Sequence, residues 1–195
     1  MPIGDLLYAC VECRTEGSLR RAKRGEVCDR CGTRYTRADG ALIRCERPGQ
    51  EPEVKHPAEW LDHLHEQPLH HPATTAAVTL RCASEYKPYT HAGVLLGFIE
   101  ELGPPEEGTL ELGPESIVFR SATGERRWPL DALTAVQPTT GTLNLKVRNG
   151  PLIALRFRTG SPLLWEERVK NAIQERFAAA GRGDIAEYLP RIVCG

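Results

Sequence analysis

Thr142-Leu143-Asn144-Leu145-Lys146-Val147-Arg148, then Asn149-Gly150-Pro151, then Leu152-Ile153-Ala154-Leu155-Arg156-Phe157-Arg158 is the stretch that decides the fold class. Apolar and polar residues alternate on both sides of a turn tripeptide, the pattern of an antiparallel hairpin with one buried face. A two-residue turn at Asn149-Gly150 would set Lys146 against Ile153 and mix charge with core. A three-residue turn pairs Val147 with Ile153, Leu145 with Leu155 and Leu143 with Phe157. It keeps every large apolar side chain except Leu152 inside, so this is the expected register. On the opposite face it projects Lys146, Arg148 and Arg156, with Arg158 beyond them.

Working downstream, Ser161 suits a helix N-cap and Pro162 the first helical position. Trp165, Val169, Ala172, Ile173 and Phe177 recur at helical spacing and make one apolar face, and Gly181 marks the end. Working upstream, further strands are expected at 78–82, 94–99, 109–112, 116–120 and 127–130, separated by Gly and Pro turns. Residues 77–180 therefore read as one strand-rich domain of about seven strands closed by a helix. Residues 181–195 carry Ile185, Tyr188, Leu189, Ile192 and Val193 and are expected to pack back. No internal repeat and no low-complexity segment stands out.

Residues 48–76 begin with Arg47-Pro48-Gly49-Gln50-Glu51-Pro52-Glu53, an acidic Pro-rich stretch expected to be a linker. A short helix follows at Pro57–Leu64, with Trp60, Leu61 and Leu64 as its packing face and Pro68 and Pro72 beyond its end. Residues 1–47 contain Cys10-x-x-Cys13 and Cys28-x-x-Cys31. Each Cys-x-x-Cys turn offers two sulfurs from one knuckle, and four thiolates suit a tetrahedral Zn²⁺. Gly32 permits the left-handed backbone such a knuckle needs, and Tyr35 with Ala41-Leu42-Ile43-Arg44 would cover the ion. So short a segment has too little core to fold alone, which makes a zinc ribbon with a structural metal the expectation. Iron of the rubredoxin kind has the same donor set and stays open at this point.

The chain has 195 residues and a net charge of −1, with 41% hydrophobic and 26% charged residues. That composition suits a soluble globular protein and supplies no global field toward nucleic acid or anionic membrane. The charge is uneven: an acidic middle, residues 48–115, lies between two basic ends. No apolar run spans a bilayer and the N-terminus lacks a signal-peptide pattern, so a cytoplasmic location is expected, with peripheral membrane association as a variant. The seven cysteines, odd in number and four of them in Cys-x-x-Cys pairs, point to metal binding rather than disulfides. Cys45, Cys82 and Cys194 read as small buried hydrophobes.

Together, Gly108-Thr109-Leu110-Glu111-Leu112, Ser116-Ile117-Val118-Phe119, Trp128-Pro129-Leu130-Asp131-Ala132-Leu133 and the helix from Ser161 resemble pleckstrin-homology-like domains, especially their bacterial and GRAM-like branches. The resemblance implies a bent antiparallel sheet capped by the C-terminal helix, so the fold class is mostly β with α. The ribbon, the Pro-Ala-Glu-Trp helix and this sheet together resemble the accessory region of some bacterial lysophospholipid acyltransferases. That family's catalytic motif is His-x4-Asp, and none of the six histidines has an Asp at that spacing, so no catalytic residue is carried over. Eukaryotic domains of the superfamily bind phosphoinositides through basic residues near the first strand pair. Here that stretch, residues 100–107, is acidic.

A non-catalytic adaptor follows, with a protein partner or an anionic lipid surface met by Lys146, Arg148, Arg156 and Arg158. The alternatives are an accessory subunit of a lipid-modifying acyltransferase and a nucleic-acid-binding ribbon. The second draws on Arg20, Arg21, Lys23 and Arg24, but four thiolates around Zn²⁺ carry about −2 and offset that loop. His63, His65, His70 and His71 cluster without a carboxylate or cysteine set to complete a second metal site, and read as an exposed polar segment. No nucleophile motif, phosphate-binding loop or metalloprotease helix is present.

Overall fold

The computed structural model describes residues 2–70, 73–139 and 141–182. The fold is mostly β with α, built on two antiparallel sheets. The first has five strands in chain order: β1 (Leu19–Arg21), β2 (Glu26–Cys28), β3 (Arg34–Arg37), β4 (Ile43–Glu46) and β5 (Glu53–Lys55). Helix α1 (Pro57–His65) follows. Its N-terminus is closed by His56, whose Nδ1 accepts from the Ala58 N–H at 3.3 Å while its own N–H donates to Glu59 at 2.8 Å. Both bonds satisfy amides the helix itself leaves free.

The stretch expected as a linker is structured. Glu53, Val54 and Lys55 pair with Cys45, Arg44 and Ile43 of β4. Trp60 and Leu64 of α1 are buried with Leu7, Tyr35 and Ile43 in one core, and the Trp60 indole N–H donates to the Ile43 carbonyl at 3.2 Å. Pro48 sits in a turn that the Gln50 N–H closes on the Arg47 carbonyl at 3.2 Å, just ahead of β5.

The second sheet contains β6 (Thr75–His91), β7 (Val94–Leu102), β8 (Glu106–Leu112), β9 (Ser116–Ser121), β10 (Gly124–Pro129), β11 (Leu133–Thr139), β12 (Thr142–Val147) and β13 (Leu152–Phe157). Helix α2 (Pro162–Ala179) follows with Ser161 at its N-cap. The order across the sheet is β10-β9-β8-β6-β13-β12-β11, and β7 pairs with β6 off that path. The sheet thus has eight strands rather than about seven. β6 continues past Cys82 as one arm of a hairpin with β7, a continuation that Pro88 and the sparse apolar pattern of 83–91 conceal.

The β12–β13 hairpin forms, but two residues out of the expected register: Leu143 faces Leu155, Leu145 faces Ile153 and Lys146 faces Leu152. Asn149, not Gly150, takes the left-handed conformation, with φ of 55°. The Gly150 N–H closes the turn on the Val147 carbonyl at 3.0 Å. Pro151 has no N–H for the ladder, so pairing starts at Leu152. A slip of two preserves the faces, and Leu143, Leu145, Ile153 and Leu155 are all buried.

The second core gathers these four with Val78, Leu80, Leu110, Phe119, Trp165, Val169 and Ile173. Gly108 is fixed by close approach: a Cβ there would stand 2.3 Å from the Arg120 carbonyl and 2.6 Å from the Phe119 ring. Gly108→Ala is expected to cost about 1–3 kcal/mol by overpacking, read as a lowered thermal midpoint. The expected packing of the C-terminal tail concerns residues outside those described.

Helix α2 belongs to both cores. Leu164 is buried among the residues of the first, and its neighbour Trp165 among those of the second. Around this junction Arg168 meets Glu16 at 2.8 Å with both side chains largely buried, and Glu16 also accepts from the Ala73 N–H at 2.8 Å. Tyr8 donates to Glu167 at 3.4 Å, and His65 lies 2.9 Å from the same carboxylate.

Candidate metal centre

Two short turns, one ahead of β1 and one between β2 and β3, bring Cys10, Cys13, Cys28 and Cys31 together. One thiol sulfur from each lies within 4.8 Å of the other three. Cys10 and Cys31 are 3.5 Å apart, as are Cys13 and Cys28. Four sulfurs about 2.3 Å from one tetrahedral ion would stand about 3.8 Å apart, so the cluster fits a metal with small adjustment. A disulfide would need about 2.05 Å, and the six described cysteines are free thiols.

The turns repeat one another. The Arg14 N–H donates to the Cys10 carbonyl at 2.8 Å, and the Gly32 N–H to the Cys28 carbonyl at 3.0 Å. The Cys10 N–H reaches the Thr15 carbonyl at 3.2 Å and the Cys28 N–H the Thr33 carbonyl at 2.8 Å. Thr15 Oγ1 lies 3.4 Å from Cys13 Sγ, and Thr33 Oγ1 lies 3.1 Å from Cys31 Sγ. The sequence signal is Cys-x-x-Cys-x-Thr, present at 10–15 and again at 28–33. It is a local repeat that a reading confined to the cysteines passes over, and it supplies the hydroxyls beside the sulfurs.

The surroundings act on these thiols in opposite directions. Burial pushes the Cys10 thiol far above its usual range, although the Tyr35 hydroxyl and the backbone around Cys13 pull the other way. Burial also opposes ionisation of Cys28, but Ser18 and the amides of Cys31 and Arg30 outweigh it and bring that thiol to about 7. The Arg30 N–H donates to Cys28 Sγ at 3.4 Å. Tyr35, fully buried, accepts from the Val11 N–H at 3.0 Å and lies 3.1 Å from Cys10 Sγ. A coordinated thiol loses its proton to the metal's charge, and four such ligands leave a tetrahedral ion no vacant position. A metal so held would cross-link the two turns.

Arg14 takes the place of Gly32 in the first turn, at φ of 53°. Its side chain explains why a strained non-glycine residue stands there. The buried guanidinium donates to the carbonyls of Pro68 (3.2 Å), His63 (3.1 Å), Leu64 and Gln67. It thereby caps the C-terminus of α1, where a cation is favoured by the helix dipole. Arg14→Ala is expected to cost about 2–3 kcal/mol through those carbonyls. Arg14→Gly should cost roughly 1 kcal/mol less, because it also relieves the left-handed backbone; urea titrations of both variants give the comparison.

The remaining sequence candidates do not converge. His63 lies 3.3 Å from Glu66 and His65 is engaged with Glu167. His70 enters only a backbone bridge to Thr15, and His71 lies outside the described residues. The four cysteines are the metal-ligating group found among the described residues. Cys45 is buried, as expected, and burial raises its thiol to about 11. In the basic loop Arg20 pairs with Asp29 at 3.1 Å.

On the second sheet, Lys146 faces Leu152 and Arg156 faces Thr142, four ladder positions or about 13 Å apart. Arg158 pairs with Glu107 at 2.9 Å, and Arg148 donates to the Asp131 carbonyl at 3.4 Å. A cleft of about 530 Å³ between the sheets, lined by Glu16, Arg20, Glu26, Arg158 and Ser161 among others, was not legible in the sequence. Its opposed charges single out no ligand class.

No protein-family model matches the chain, and no curated protein matches it. Among solved structures, the chain is similar to the crystal structure of the C-terminal domain of an unknown protein from Leishmania infantum. The two are 14% identical with a TM-score of 0.29, over 51% of this chain and 81% of that one. A likeness of that size carries no argument about fold or function.

Proposed function

We propose that the protein is a non-catalytic binding module in which a structural Zn²⁺, held by Cys10, Cys13, Cys28 and Cys31, fixes a zinc ribbon against a pleckstrin-homology-like sheet. The observation that carries this reading is the closed group of four sulfurs within 4.8 Å of one another. When bound, the ion supplies folding energy and cross-links two turns, while the second sheet presents surface to a protein or to a membrane in the cytoplasm. The pleckstrin-homology-like part is supported by the strand order. With β7 set aside, the first and last strands of the sheet, β6 and β13, lie side by side, and α2 follows directly from the last. No helix among the described residues is long and apolar enough to cross a membrane.

The test is metal analysis of the purified chain. One zinc per chain, with no visible absorption, is the expected result, and cobalt exchange should give the colour of tetrahedral thiolate coordination. A red protein carrying iron would replace zinc by a rubredoxin-type centre. A metal-free, folded chain in which Cys10, Cys13, Cys28 and Cys31 are all open to thiol reagents would overturn the reading.

A further inference from the structure

The β6–β7 hairpin leaves the second sheet. Thr75–Leu80 of β6 pair with β8, but from Ala83 to His91 the strand pairs with β7. The arm ends in a two-residue turn, Ala92-Gly93, with φ positive at both residues, 50° and 79°. Just behind that turn stand Val94, Leu95 and Leu96, exposed by 61%, 53% and 59%, with Tyr89 on the opposite strand at 48%. Among the described residues the large exposed hydrophobics are these four and Val54, so nearly all of that surface sits at one tip.

Three features say what covers it. Consecutive residues of a strand point to opposite faces, so Val94, Leu95 and Leu96 make the tip apolar on both sides. A flat protein surface would bury one side and leave the other wet, whereas an apolar phase surrounds both. The hairpin also resists pairing with another strand. Pro88 lacks an N–H, and the ladder is irregular between Ala83 and Glu85 and between Tyr89 and Thr90, devices that block edge-to-edge addition. Finally, residues 88–99 contain no Asp, Glu, Lys or Arg, and charge returns only at the base, where Lys87 pairs with Glu101. An uncharged tip loses no ionic hydration on leaving water.

We infer that this hairpin tip inserts into the headgroup and upper acyl region of a lipid bilayer, driven by apolar burial rather than by attraction to anionic lipid. Three residues of strand reach about 10 Å, which matches the 5–10 Å to which interfacial elements sink. Tyr89 lies at the level where a ring with one polar end suits the boundary. The inference deepens the membrane half of the proposed function and needs neither the zinc nor the basic residues of β12 and β13.

Flotation of the metal-loaded full chain with phosphatidylcholine vesicles, with and without added phosphatidylserine, tests it at low and high salt. Binding to the neutral vesicles that survives salt is expected. Leu95→Glu/Leu96→Glu should lower the bound fraction by at least about tenfold, while Arg156→Glu/Arg158→Glu leaves it intact. The substituted side chains are exposed, and an unchanged melting curve shows that the fold is kept. As a second readout, Leu95→Trp should gain emission that brominated lipid quenches. Binding only to anionic vesicles and lost in salt would overturn the inference in favour of charge attraction. Absence of flotation would overturn it as well, and if Leu95→Glu/Leu96→Glu then dissolved a dimer, the tip would be a self-contact. Metal content is measured independently, so failure here leaves the zinc reading standing.

Discussion

Stripping the metal with a strong chelator, or replacing Cys28 by serine, should melt the five-stranded sheet and leave the eight-stranded sheet folded. The first core holds Ile3, Leu7, Tyr8, Tyr35, Ile43, Trp60, Leu64 and Leu164 as its larger side chains, a small core for strands of three and four residues to stand on alone. Structural zinc contributes on the order of 10 kcal/mol in small domains folded around it, more than such a core supplies. Cys28 is the sensitive position because Ser18, the Arg30 amide and Cys13 Sγ all converge on its sulfur. Amide hydrogen exchange reads the outcome. Protection should vanish across β1–β5 and persist across β8–β13. Simultaneous loss in both sheets would mean one cooperative unit, and no loss would mean that the metal is dispensable.

The second large effect belongs to Trp165. The side chain is buried, packed on the Phe157 ring at 5.8 Å between centroids, with its indole nitrogen buried and without a partner among the described residues. Trp165→Ala removes the largest residue of the second core, and Trp-to-Ala changes in cores cost about 3–5 kcal/mol. Loss of an unpartnered N–H returns some of that, which places the expected value near 3 kcal/mol. Trp165→Phe keeps ring contact and removes the same N–H, so it should cost clearly less. Leu164→Ala, one residue away, is expected to cost about 2–3 kcal/mol but in the other core. Urea unfolding followed by exchange separates them: Trp165→Ala lowers protection first in β12 and β13, Leu164→Ala first in β3, β4 and α1.

The parts legible in the sequence were those written in short periods. Period two in Leu143–Val147 and Leu152–Phe157 announced strands and their faces, and period 3.6 from Trp165 to Phe177 announced α2. The cysteine spacing announced the four-sulfur cluster, because two adjacent-turn pairs need little tertiary help to converge. What escaped was set by partners distant in sequence. β5 is a strand because β4 offers it a free edge, and nothing in Glu53-Val54-Lys55 itself says so. The hairpin register depends on turn geometry, with Asn149 in the left-handed conformation, which the strand pattern alone does not set. Nothing in the sequence singled out Arg14, because its cap on α1 depends on residues some fifty positions away.

Leu164 and Trp165 are consecutive on a helix, so their side chains leave the axis about 100° apart. α2 therefore acts as a shared axle: turning it to improve one core spoils the other. The practical consequence concerns transplantation. The five-stranded sheet moved onto a foreign partner would arrive with its lid missing unless the first turn of α2 travelled with it. The eight-stranded sheet expressed without it would carry an orphaned leucine on its surface. The two halves can be exchanged only as a pair, and a chimera designed at residues 57–75 is expected to need Leu164 recut to match its new neighbour.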